Sequence, residues 1–120
     1  MMENKSAFNW IIRNNFAEAD FWLINKGSVQ SLGKPVKVFE PFLTGIQCPA
    51  TIEPRYGYYL CVHLHSIGTW SEHSRGSINL QHLRIRDIRE VFQKLAHSHH
   101  HQKRFVDIKP KLNNASLLVV

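Results

Sequence analysis

The sequence predicts an α+β domain in which a small mixed or antiparallel sheet is covered by two longer helices. Three observations carry this expectation. Short apolar runs bounded by Gly, Pro and Asn occupy the first half of the chain. An almost uncharged, Tyr- and Leu-rich run over 54–70 opens with Pro, and an apolar stripe of helical period follows the acidic start at Asp87. With 120 residues, 43% hydrophobic and 11% aromatic, the chain has material for one core and one domain spanning 1–120. A charged fraction of 20% is too low for a chain held open by self-repulsion.

The elements follow in order. Residues 6–16, SAFNWIIRNNF, place Phe8, Ile11, Ile12 and Asn15 at helical spacing behind Ser6 as a cap, which predicts a short first helix. From Ala19 the run ADFWLIN reads as a buried strand entering the turn-prone NKGS. VKVF at 36–39 alternates, and LTGIQ at 43–47 is a further short extended piece. Over 54–70 two periods compete. As a helix, Pro54 takes the first turn and Tyr56, Tyr59, Leu60, His63, Leu64 and Ile67 share a face; as a strand, Cys61, His63 and His65 would line one side. Residues 87–90, DIRE, form a capping box that starts a helix near Asp87. Ile85, Ile88, Val91, Phe92 and Leu95 face inward, and Arg86, Arg89, Gln93 and Lys94 face outward. The HSHHH tract at 97–101 falls in its last turn, and FVDI at 105–108 with the terminal SLLVV predicts a last strand or packed tail.

The net charge of +6 and the pI near 9.6 matter through their distribution. Up to Trp70, six basic residues face five acids; beyond it, nine basic residues face four. The positive field therefore belongs to the C-terminal half, as suits an anionic partner whose condensed counterions are released on binding. No apolar run reaches the roughly 18 residues of a membrane span, and the start MMENKSAFNW lacks the basic-then-apolar order of a signal peptide, so the expected location is the cytoplasm without a membrane partner.

Catalytic chemistry has little to stand on in this sequence. The nine acids are scattered, and GxGxxG, GxxxxGK[ST], GxSxG and HExxH are absent, which excludes the familiar phosphate loops, nucleophile elbows and zinc-protease helices. Cys61, His63, His65 and His73 are close in sequence, but a structural zinc site needs a second ligand pair at a defined distance. Cys48 and Cys61 lack CxxC spacing and read as two buried free thiols. The expectation is a non-enzyme with no cofactor and no metal.

Basic groups interleaved with amides and hydroxyls fit better. The loop KGSVQSLGKP offers Lys26, Ser28 and Lys34, with Gly27 and Gly33 permitting tight turns and backbone N–H groups that could cradle a phosphate; Lys37 follows. Around GSINLQHLRIR stand Arg75, Ser77, Asn79, Arg84 and Arg86. Cations of such a set position a duplex through phosphates, and Asn79 with Arg84 are the expected base readers.

The order FWLINKGSVQSLGKP, a short extended stretch, PRYGYYLCVHLHS and RGSINLQHLRIRDI resembles the target-recognition domains of type I restriction-modification specificity subunits, over about residues 19–90. The matching features are Lys26-Gly27-Ser28, Pro54 through Leu64, and Gly76-Ser77 with Asn79-Leu80. The resemblance implies a recognition-domain-like fold, a helix rather than a strand over 54–67, and DNA as the partner. Subunits of that family normally carry two such domains, whereas 120 residues have room for one, which leaves a stand-alone recognition module, for instance one carried on a phage or mobile element, as the expected form. The alternative expectation is a protein-interaction module that binds or inhibits a host protein through an exposed patch of Trp10, Trp22, Phe42 and Trp70.

Overall fold

A computed structural model describes residues 9–76 and 80–97 of the chain. The described part is α+β, with two antiparallel sheets and two helices. The larger sheet has four strands in the order β1-β5-β2-β4, where β1 is Ile11–Asn14, β2 Phe21–Leu23, β4 Pro35–Val36 and β5 Thr44–Gln47. A second sheet of three two-residue strands has the order β3-β7-β6, with β3 Lys26–Gly27, β6 Arg75–Gly76 and β7 Gln81–His82. The helices are α1, Pro54–Ser66, and α2, Ile85–His97. No helix among the described residues is long and apolar enough to cross a membrane.

Register explains the core. Ile12 opposes Ile46, which opposes Phe21, so these three side chains and Leu23 share one face of the larger sheet. Both helices are tied to that sheet. Phe21 packs edge-on against Tyr58 of α1 at 5.6 Å between ring centroids, and Arg89 of α2 donates two hydrogen bonds to the Ile12 carbonyl. Ile88, Val91 and Phe92 enter the same buried cluster as Cys61, Leu64 and Trp70. Trp10 closes it from the side, its ring 4.7 Å from that of Phe92.

The strands expected at ADFWLIN and LTGIQ form as β2 and β5, and the helical period wins over 54–66. Elsewhere the chain departs from its local pattern. Ile11–Asn14 is an edge strand, not part of a helix, because four consecutive residues pair with Thr44–Gln47 and Ile12 is buried by that pairing. β-branched residues tolerate this pleated surface well. In VKVF only Val36 is in a strand, and Val38 is left exposed.

Helix α1 buries Tyr56, Gly57, Cys61 and Leu64, a face rotated away from the expected Tyr59, His63 and Ile67. Gly57 explains the rotation: a Cβ there would overlap the Cys48 Sγ, so the helix approaches the sheet through its smallest residues. Cys48 and Cys61 are free, buried thiols, and burial, then the neighbouring Cys48, pushes the Cys61 thiol well above its ordinary range. Helix α2 begins two residues before Asp87. FVDI, SLLVV and residues 98–101 of the histidine tract lie outside the described residues.

Candidate nucleic-acid interface

The smaller sheet assembles a basic row that no local pattern shows. Lys26 of β3 stands opposite His82 of β7, and His82 stands opposite Arg75 of β6. Directly opposed residues of antiparallel strands project from the same face with Cβ atoms about 5 Å apart. All three side chains are exposed, so Lys26, His82 and Arg75 form one solvent-facing line across the sheet. On the next rung Gln81 lies between Gly27 and Gly76, which leaves that rung bare on both flanks.

The row is held from behind. The Leu83 N–H donates to the Asn25 carbonyl at 2.8 Å, and the Leu83 side chain is buried in the core. Asn25 in turn donates through its amide to the Phe42 carbonyl and to the Thr44 hydroxyl, and that hydroxyl donates to Asn14. These bonds fix the entry to β3 onto the larger sheet, so Lys26 is positioned by two sheets at once.

The other sequence-predicted residues divide into distinct groups. Ser28 and Lys34 are exposed at the two ends of the loop after β3. That loop does not offer a cradle of N–H groups over residues 31–34: Ser31, Leu32 and Gly33 donate to Ser28, Ser28 and Ile24, and Lys34 donates to Ser31. The Ser28 hydroxyl is engaged with that of Ser31. Lys37 belongs elsewhere. It lies over the Tyr58 ring at 4.8 Å, beside a cavity of about 290 Å³ that Phe21, Arg55 and Tyr59 also line. Burial, then the neighbouring Tyr59, raises the Tyr58 hydroxyl above its ordinary value. Ser77 and Asn79 lie outside the described residues.

Arg84 is occupied. Its Nε and Nη2 donate to the two carboxylate oxygens of Asp87 at 3.0 and 3.1 Å, and its backbone N–H donates to the same group at 3.3 Å. Asp87 thus closes the first turn of α2 backward onto Arg84, where the sequence suggested that it accepts from Glu90. Arg86 is exposed and joins no ion pair among the described residues.

The Arg84 contact holds the Asp87 carboxyl below its usual range, chiefly by the hydrogen bond and then by charge, against an opposing effect of burial. A depressed folded-state pKa stabilises the fold at pH above the unfolded-state value near 3.8, and that stabilisation disappears as pH falls through the folded-state value. Asp87→Asn is therefore expected to lower the urea midpoint at pH 7 and to leave it less dependent on pH below about 4 than in the parent. An equally steep acid loss in the variant would assign that loss to other carboxylates.

His73, Asp87 and Glu90 bring one ligand atom each within 4.8 Å of one another. The Arg84 guanidinium already holds both oxygens of Asp87, and Arg75 adds positive potential at the same carboxylate, an arrangement that opposes a metal cation. Cys61, His63, His65 and His73 do not gather into such a group, since Cys61 is on the buried face of α1 whereas His63 is exposed.

His82 is the residue that sequence reasoning missed. Its place in the row depends on pairing with Lys26 and Arg75, segments far apart in the chain, and no short motif carries that information. No family model matches the sequence, and neither a curated protein nor a solved structure is significantly similar to it.

Proposed function

We propose that the protein is a non-catalytic DNA-binding domain of the cytoplasm that holds the duplex by its phosphates across the smaller sheet. The observation that carries this reading is the exposed line of Lys26, His82 and Arg75. Three nitrogen-bearing side chains aligned on adjacent strands present several donors to a phosphate backbone at once, as scattered surface cations do not. The net charge of +6, concentrated after Trp70, supplies the long-range attraction. The resemblance to restriction-modification recognition domains points the same way, toward a stand-alone sequence-recognition module.

Within this reading Lys26 and Arg75 are the phosphate anchors, with Lys34 and Arg86 as exposed cations at hand. Arg84 contributes by fixing the start of α2 through Asp87. The test is a mobility shift of a random-sequence duplex at low salt. The parent is expected to retard the duplex and the Lys26→Glu/Arg75→Glu variant to do so far more weakly; equal retardation would remove this row from the interface.

A further inference from the structure

The face of the larger sheet opposite Phe21 is covered differently. Its central residue, Trp22, pairs with Gly45 and Val36, donates its indole N–H to the Phe16 carbonyl at 2.8 Å and packs against Phe39 at 5.8 Å. Trp22 is buried, as is Trp70, and Trp10 is half-buried against Phe92, so three of the four aromatics expected in an exposed patch belong to the body of the fold. Phe42 does not. It is 70% exposed, and Val38 beside it is 69% exposed. Both line an open pocket of about 330 Å³ whose deeper parts come from Ile24, Val36 and Leu43 and whose polar members include Lys26 and Glu40.

We propose that this patch is a self-association surface, with the pocket of one copy receiving the Phe42 ring of a second copy in a twofold dimer. A twofold contact requires a surface complementary to itself, because residue i meets residue j and j meets i. This patch has that property twice over. It holds a projecting ring and a hollow of suitable size, given that a cavity of about 150 Å³ accommodates benzene. It also carries one cation and one anion, Lys26 and Glu40, neither in an ion pair among the described residues. A twofold axis passing between Lys26 and Glu40 would set Lys26 of each copy against Glu40 of the other. The same contact removes two exposed Phe42 rings from water, and a central aromatic in a pocket with charges at the rim is the anatomy of a specific interface. The proposal does not rest on nucleic-acid binding, and a dimer closed by Lys26–Glu40 pairs withdraws Lys26 from the phosphate row, so dimer and duplex compete for it.

Sedimentation of the full chain over roughly 1 µM to 1 mM tests it, a span that covers weak to moderate dimers. The mass is expected to rise from 14.0 kDa to twice that value with concentration. Phe42→Asp, at an exposed side chain whose backbone carbonyl keeps its bond from Asn25, is expected to retain the melting temperature and to weaken dimerisation by about 30-fold or more. Lys26→Glu and Glu40→Lys are each expected to weaken self-association by juxtaposing like charges. An equimolar mixture of the two is expected to form a mixed dimer tighter than either alone, since both cross-pairs then attract. A parent that stays monomeric throughout overturns the proposal, whatever else covers the patch. So does a Phe42→Asp variant that associates like the parent, or a mixture no tighter than its components.

Discussion

Replacing Gly33 with alanine is expected to lower stability by about 3 kcal/mol or more, a shift of roughly 10 °C in melting temperature for a chain of this size. Gly33 has φ of +81°, in the left-handed region where a Cβ costs about 1–2 kcal/mol. The larger effect is steric. An added Cβ would overlap Cδ1, Cγ and Nε1 of Trp70, itself fully buried and packed against Phe92. Overpacking of this sort typically costs a further 1–3 kcal/mol, because neither the indole nor the backbone can yield freely. The contact is the seat on which the loop between β3 and β4 rests, and the Gly33 N–H to Ile24 carbonyl bond of 2.8 Å closes it. A double-mutant cycle separates the two causes. The penalty should shrink in a Trp70→Leu background if the clash dominates, and should persist unchanged if backbone strain dominates.

The second large effect concerns binding. Reversing Lys26 and Arg75 to Glu is expected to weaken duplex affinity by at least about 50-fold near 0.1 M salt. Two lost phosphate contacts remove about 1.8 powers of ten for each tenfold dilution of salt below 1 M, and the new negative charges repel the backbone besides. Stability should change by no more than about 0.5 kcal/mol, because both side chains are exposed and neither joins an ion pair among the described residues. A calorimetric melt beside the binding curve distinguishes lost contacts from lost fold.

Elements whose local pattern and tertiary role agree were legible in the sequence. β2 is a short apolar run, β5 a short extended piece around Ile46, and α2 shows its stripe of Ile88, Val91 and Phe92 plainly. β1 was not legible, because Ile11 and Ile12 satisfy a helical period as well as a strand, and only the distant partner Ile46 decides between them. The face of α1 was misjudged for a related reason. Leu60 and Ile67 are the more hydrophobic residues, yet close approach to Cys48 favours Gly57 and Cys61.

The candidate site divides in the same way. Lys26 and Arg75 could be named as cations from sequence, but their alignment through His82 is a product of register in a sheet of two-residue strands. Arg84 was the converse. Its spacing of three from Asp87 at the start of a helix signals an ion pair, and that signal was hidden by assigning Asp87 to the cap. Lys37 shares the sequence neighbourhood of Lys34 yet turns to Tyr58 beside α1, so proximity along the chain did not mean one surface.

The most direct test of the account is the affinity of the unmodified protein for a random-sequence duplex, measured by fluorescence anisotropy across a salt series. Lys26 and Arg75 with one or two neighbouring cations predict a straight line of log affinity against log salt with a slope near about −3. A slope near zero, or no binding even at roughly 50 mM salt, would contradict a phosphate-binding row and leave Lys26, His82 and Arg75 as a solvated edge of the smaller sheet.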